Sequence, residues 1–370
     1  MGIEPDELRV TGPASELSSL AACRVRMDEI DQALVELLNQ RAQVSIRVGQ
    51  LKEGLKANVF VPEREAQVLR NVETWNQGPM PAAAMRQFWL DILSTSRRFQ
   101  QKARIGYLGP IATFSYEAAL VRFGREAELV PYRTIPEVFA ATTRREVDYG
   151  VVPIENSIEG GVTFSLDTFV ECDVQVCAEV KLPISQHLIS TGTLESIEKV
   201  YSHPMGIAQG RKWILSNLPR AEIIETTSTS RGAELAKSDP KVAGVGSELS
   251  AELFGVPILA RNIEERSNNF TRFFVIGDHS ARATGQDRTA IVFAIRHKAG
   301  ALHDALGIFA AAGLNLTRIE SRPTKKELWE YVFYAEFQGH RSDKSVAESL
   351  AVLEGEAQFV KILGSWPEES

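Results

Sequence analysis

The hydrophobic period changes twice along this chain, so no single layer of structure can follow it. Met27, Ile30, Leu34, Leu37, Val44, Val48 and Leu51 fall on one heptad seam, the pattern of a long helix packed against other helices. Arg41 lies in the same seam, and Arg24, Ser45 and Lys52 lie beside it. Pro62 suits the first turn of a second helix, which carries Arg64 and Glu65. A third helix runs from about Ala82 to Lys102, and its stripe of Met85, Trp89, Ile92 and Leu93 continues into Ser96 and Gln100. Residues 17–102 are therefore expected to be all-helical.

From 103 to 280 short apolar runs alternate with helical stretches: "RIGYL" then "SYEAALVRF", "EKVYSH" then "MGIAQGRKWILSN", "AEIIET" then "SRGAELAK". That alternation predicts parallel sheets with helices on their faces. The length suits two small α/β lobes with a cleft between them. Residues 288–366 read as strand, helix, two strands, helix and strand, a βαββαβ ferredoxin-like unit, with "ARATGQDR" at 281–288 as the linker.

A chain of 370 residues supports two or three such domains. Its net charge of −7 argues against a nucleic-acid partner. No apolar run is long enough to span a bilayer, and "MGIEPDELRVTGPASE" has no basic and apolar signal regions. Cys23, Cys172 and Cys177 have no zinc spacing and read as free thiols. The expectation is a cytoplasmic protein without metal or membrane contact.

The helical segment poses a charge problem. Arg24, Arg41, Lys52 and Arg64 gather near one seam with few carboxylates facing them. Burying an unpaired cation is very costly, so the group calls for an anionic ligand. Arg24 and Arg41 are ~25 Å apart on one helix, and no small diacid spans that distance. If both grip one ligand, Arg24 comes from another subunit, and the segment is an intertwined helical dimer.

This segment resembles the all-helical chorismate mutases, whose pattern falls on Arg24, Arg41, Lys52, Arg64, Glu65, Ser96 and Gln100. Chorismate rearranges to prephenate by a unimolecular shift, so the site need only hold the compact conformer and stabilise charge on the ether oxygen. By resemblance, Arg24 (in trans) and Arg41 bind the carboxylates with help from Arg64. Lys52 and Gln100 donate to the ether oxygen, and Glu65 accepts from the ring hydroxyl. One departure is Val61, which precedes Pro62 where aspartate is usual; valine is the poorer N-cap by ~1 kcal/mol.

In the α/β segment, "YLGPIATFSYEAA" offers a helix N-terminus beside Thr113 and Ser115, a setting that favours anions. "VPIENSIEGGV" sets Glu155, Asn156 and Ser157 directly after a strand, where doubly wound folds place ligand contacts. "YSHPMGIAQG", with Ser202, His203 and Gln209, and "TTSTSRGAELA", with Ser228 and Thr229, repeat the arrangement. "NNFTRFF" brings a hydroxyl and an arginine to the mouth of a buried strand. Together these segments resemble prephenate dehydratase. Its Thr-Arg-Phe signature falls on Thr271, Arg272 and Phe273, its Glu-Asn-Ser signature on Glu155, Asn156 and Ser157, and its Ser-His-Pro…Gln pattern on Ser202 to Pro204 and Gln209. Ala112 and Gly210 replace a glycine and a cysteine common in the family. By resemblance the fold is the two-lobed one of periplasmic binding proteins. Thr271 is the donor that helps hydroxide leave prephenate, Arg272 holds a carboxylate or polarises the hydroxyl, and Glu155 and His203 are the conventional acids. For His203, a structural role is the reading from its own position. The chemistry requires no cofactor.

"GALHDALGIFAAAGLNLTRIESRP" resembles the ACT regulatory domain. By resemblance it binds L-phenylalanine between subunits of a homodimer, through Gly300, Ala301, Leu302, His303, Asn315, Glu320, Ser321 and Arg322. The whole reading implies a bifunctional mutase and dehydratase of phenylalanine biosynthesis, feedback-inhibited by its end product. Its rivals are a dehydratase with an inactive helical arm and a non-enzymatic two-lobed solute receptor.

Overall fold

The computed structural model describes residues 19–55, 58–296, 298–323 and 331–368. Residues 17–18 of the expected helical segment, His297 at the end of an expected strand, and the first three residues of the expected strand 328–337 lie outside them. The described residues fall into two compact units, one within 19–59 together with 95–101, the other within 60–94 together with 102–368.

The first unit contains helix α1 (Leu20–Leu55) and the last turns of α3. Ser19 starts α1, its Oγ accepting from Ala22 N at 3.1 Å. Met27, Ile30, Leu34, Leu37, Val44 and Leu51 of the heptad seam are all exposed in the single chain. An apolar seam left uncovered along a helix of this length is unusual on the surface of a monomer.

The second unit opens with α2 (Pro62–Trp75), which starts at Val61 without a side-chain cap, and most of α3 (Ala82–Gln100). The first α/β lobe follows: β1 (Arg104–Leu108), α4 (Phe114–Phe123), β2 (Glu128–Tyr132), α5 (Ile135–Thr143), β3 (Tyr149–Asn156), the short β4 (Gly160–Gly161), α6 (Thr163–Glu171) and β5 (Gln175–Pro183). The second lobe comprises β6 (His187–Ile189), β7 (Lys199–Ser202), α7 (Pro204–Asn217), β8 (Glu222–Glu225), α8 (Thr229–Ala236), β9 (Val242–Gly246), α9 (Glu248–Phe254) and β10 (Ile258–Ala260). The chain then returns as β11 (Phe270–Gly277) to the first sheet. The last part is β12 (Asp287–Ala294), α10 (Ala301–Ala311), β13 (Leu316–Pro323), β14 (Tyr331–Gln338), α11 (Lys344–Glu356) and β15 (Phe359–Pro367), the expected βαββαβ order.

The lobe sheets run β2-β1-β3-β11-β5, with β4 beside β3, and β10-β6-β9-β7-β8. Each has three parallel strands at one side, β2-β1-β3 and β9-β7-β8. The parallel strands expected from the alternation are joined in each sheet by strands that run the other way. β11 is antiparallel to β3 and β5, and β6 to β9 and β10. The reason is the double crossing between lobes: the strand that comes back enters the first sheet from the cleft end.

The third sheet, β13-β14-β12-β15, buries both faces. One carries α10 and α11 over Phe293, Phe309, Phe337 and Leu353. The other joins the first lobe in one apolar core, in which Val292, Tyr334, Leu363 and Trp366 meet Val152, Ile154, Phe274 and Ile276. Trp366 and Phe274 stack edge to face at 5.0 Å. The segment expected to hang on a linker is thus part of the same hydrophobic core. The opposite face of the first sheet buries Phe60 with Phe123 and Tyr149, and the Ser94 hydroxyl of α3 donates to Phe123 O at 2.7 Å. No helix among the described residues is long and apolar enough to cross a membrane.

Candidate functional site

β3 and β11 pair in opposite directions, with Thr271 across from Asn156 and Arg272 across from Glu155. Directly opposed residues share a face and successive residues alternate. The four therefore divide into two couples on opposite sides of the sheet.

On one side, Asn156 Nδ2 donates to Thr271 Oγ1 at 3.0 Å and to Asn269 Oδ1 at 2.7 Å. The Asn156 oxygen accepts from the backbone of Ile158 and Glu159, at 2.9 and 3.1 Å, which fixes the amide's orientation. Ser157 ties the two strand ends together: its Oγ accepts from Phe270 N at 2.9 Å and donates to Asn268 O at 3.2 Å. Because the amide donates to Thr271 Oγ1, the threonine's own proton is left to point elsewhere. Asn269 was not singled out in the sequence, although it stands two residues before Thr271. It is buried, and its Nδ2 has no protein partner among the described residues.

The second lobe contributes strand ends and helix starts, as doubly wound topology requires. The Ser202 hydroxyl is buried and donates to Val245 O at 2.7 Å. His203 caps α7, its Nδ1 accepting from Met205 N at 3.3 Å, and burial lowers its pKa against the pull of Glu225. Gln209 accepts from Gln186 Nε2 at 3.0 Å. Ser228 caps α8, with Thr229 the first residue of that helix. Gln186 is a second residue missed in the sequence. It sits in the crossing from β5 to β6, 2% exposed, with Oε1 unpartnered among the described residues.

In the first lobe, Thr113 caps α4 and Ser115 is buried in its first turn. Glu117, one turn on, accepts from the Ser247 hydroxyl of the second lobe. Burial first, and then Glu248, raise its pKa to about 7 although that hydrogen bond opposes the shift.

On the other side of the sheet the Arg272 guanidinium is held by three carboxylates: Glu155 at 2.9 Å, Glu179 of β5 at 2.7 Å and Glu336 of β14 at 2.7 Å. Burial by itself would lower the Arg272 pKa, but Glu336 and Glu179 reverse this and raise it. Glu179 is pushed upward by burial despite Arg272. The pair Glu155–Arg272, expected beside Thr271 in the chemistry, thus faces the third sheet because strand neighbours point in opposite directions.

In the first unit, Arg41 Nη1 donates to Ser96 Oγ, and the Ser45 hydroxyl to Arg41 O at 3.0 Å. Lys52 Nζ donates to Val59 O at 3.0 Å. Gly49 lets the end of α3 approach closely, since a Cβ there would lie 2.6 Å from Gln100 Cα. Gln100 Oε1 is buried without a protein partner among the described residues. Arg24 is exposed. Arg64 and Glu65 belong to the second unit. There Arg64 donates to Gln67 at 2.6 Å, and the buried Glu65 lies 3.5 Å from Arg122 of α4.

In the last part, Gly300 starts α10 in the left-handed region at φ 86 without a side-chain cap. Ala301 and Leu302 are half-buried, and the His303 side chain is exposed beside Asp304. A cavity of about 410 Å³ opens here, lined by Arg296, Lys298, Ala301, Asp304, Leu353 and Glu356 among others. Asn315 Nδ2 donates to Gln338 at 3.1 Å. Glu320 and Arg322 turn toward the first lobe, Arg322 reaching Asp167 at 3.4 Å, while Ser321 is exposed on the other face of β13.

The prephenate dehydratase family model matches residues 105–281, the chorismate mutase type II model residues 23–101 and the ACT domain model residues 289–355. The bifunctional chorismate mutase/prephenate dehydratase of Aquifex aeolicus is 41% identical over 356 residues, covering 95% of this chain and 98% of its own. The protein of the same name from Stutzerimonas stutzeri is 38% identical over 360 residues, covering 95% and 99%. Among solved structures, prephenate dehydratase from Arthrobacter aurescens in complex with L-Phe superposes with a TM-score of 0.67 at 32% identity, covering 72% of this chain and 90% of that one.

Proposed function

This chain belongs to the bifunctional chorismate mutase/prephenate dehydratase family, and we propose that it converts chorismate to prephenate and prephenate to phenylpyruvate under feedback inhibition by L-phenylalanine. Residues 17–102 carry the mutase, 103–280 the dehydratase and 288–366 the regulatory module. Family likeness across 95% of the chain favours this reading over a solute receptor.

The observation that carries the dehydratase is the 3.0 Å hydrogen bond from Asn156 Nδ2 to Thr271 Oγ1. Prephenate loses its ring carboxylate as CO2 and its C4 hydroxyl as water, and aromatisation drives both. The enzyme's task is to supply a donor to the departing hydroxide. Thr271, accepting from Asn156, presents its proton to that oxygen, and the same amide stabilises the charge that builds on Oγ1. Ser157 and Asn269 hold the two strand ends. Thr113, Ser115, Ser202, Gln209, Ser228 and Thr229 line the binding side, where the N-termini of α4, α7 and α8 favour the substrate's carboxylates. Phe273 anchors β11 from the buried face. Arg272 and Glu155 act by position rather than by contact with substrate.

For the mutase, the uncovered apolar seam of α1 supports an intertwined homodimer. Arg24 then reaches the partner's Arg41, Lys52, Ser96 and Gln100. Phenylalanine binds where two regulatory modules meet. This reading is supported by the cavity of about 410 Å³ at the start of α10, which Ala301 lines. Such an enzyme works in the cytoplasm and needs neither cofactor nor nucleic acid.

Phenylpyruvate absorbance is the test. The purified protein should form phenylpyruvate from chorismate and from prephenate, both suppressed by phenylalanine. Turnover of prephenate alone would mean an inactive helical arm, and turnover of neither would remove the enzyme reading.

A further inference from the structure

We propose that Glu336, in the regulatory sheet, is a positioning residue for dehydration: through Arg272 it sets the geometry of Thr271 and Asn156. The inference rests on the dehydratase reading above. Glu336 is the lone charge in the apolar run "YVFYAEF", and its side chain is only 5% exposed. One carboxylate serves two guanidiniums. Oε2 accepts from Arg272 Nη2 at 2.7 Å, and Oε1 accepts from Arg318 Nη1 of β13 at 3.3 Å. Arg318 continues the network to Glu320 at 2.7 Å and to Glu155 at 3.8 Å. Glu320 in turn lies over the turn after Asn156, where a Cβ on Gly161 would collide with its carboxylate.

Two features make this more than an interface ion pair. Arg272 and Glu155 are the immediate chain neighbours of Thr271 and Asn156, so the network grips both halves of the catalytic couple from behind. The β3–β11 register also shifts between Arg272 and Phe273. There β11 keeps unbroken register with β5, so the irregularity loosens β3 against β11, and side-chain anchors such as Glu155–Arg272 help to set that pair of strands. A hydrogen bond weakens steeply as its angle and length depart from ideal, so a small displacement of Arg272 weakens the Asn156–Thr271 bond. Residues 318, 320 and 322 of β13 all engage the first lobe or the network, while the alternate residues are exposed. Anything that shifts β13 therefore acts on Arg272 through Arg318 and Glu336.

Glu336 can be tested where Arg272 cannot. Removing the arginine strands three carboxylates, whereas Glu336→Gln leaves Arg272 with Glu155 and Glu179. Steady-state kinetics on the full-length protein should show Glu336→Gln lowering kcat for prephenate about ten-fold with KM within two-fold, and an unchanged chorismate mutase rate as the check on folding. Should Glu336→Gln fail to fold, Arg318→Gln reaches the same carboxylate with Arg272's three partners intact, and it should lower kcat in the same way. When both variants fold, the double variant should be no slower than the slower single one, since both cut one link. A kcat near wild type in a folded Glu336→Gln protein, or in Arg318→Gln where that stands in for it, overturns the proposal, as do additive losses in the double. A wild-type protein that forms no phenylpyruvate would instead overturn the dehydratase reading, and this inference with it.

Discussion

Arg272 of β11 and Glu336 of β14 meet at 2.7 Å across 64 residues of sequence. The contact makes the last module part of the dehydratase lobe, and it separates the arginine from the threonine beside it. Thr271 faces Asn156, while Arg272 faces the regulatory sheet.

Thr271→Ala should reduce prephenate dehydration by about 10²–10⁴-fold, the usual size of a lost proton donor. The chorismate-to-prephenate step should persist, because its residues lie elsewhere in the chain. Thr271→Ser keeps the hydroxyl and should recover much of the rate. Near-normal phenylpyruvate formation by the alanine variant would remove the role given to Thr271.

Arg24→Ala and Arg41→Ala should each abolish the mutase and spare dehydration of supplied prephenate. Mixing the two inactive proteins should restore part of the mutase rate, since a heterodimer retains one site with both arginines. Demonstrated subunit exchange without any recovery would contradict the intertwined dimer.

Glu117 should make stability fall with rising pH. Its folded pKa, about 7, lies above the ordinary carboxylate value of 4.5. The protonated form is favoured in the folded state, so its contribution is complete below the lower value and is lost as pH rises through the upper one. Glu117→Gln should match wild type in thermal melts at pH 4 and exceed it by about 3 kcal/mol at pH 8. Parallel melting curves at all pH values would exclude this.

Deleting residues 288–370 should not yield a phenylalanine-insensitive enzyme. The cut exposes Phe274, Ile276 and Ile154, which share a core with Trp366 and Tyr334, and it removes one carboxylate from Arg272. The expected product is insoluble or dye-binding and lacks dehydratase activity. A soluble truncated protein with normal kcat would show that the shared core is dispensable.

Much of this protein was determined locally. The heptad seam from Met27 to Leu51, the capping residues Thr113 and Ser228, and the βαββαβ order are short-range patterns that sequence carries directly. The motifs around Asn156 and Thr271 also named both members of the couple that hydrogen-bonds across β3 and β11. Even the separation of Thr271 from Arg272 was legible in principle, because strand neighbours alternate. What alternation cannot tell is which layer covers each face. That Arg272 meets Glu179 and Glu336, that Glu65 lies beside Arg122, and that the regulatory sheet closes the first lobe's core depend on contacts far apart in the chain. Such partners are chosen by how whole layers bury their apolar faces, and only the tertiary structure decided them.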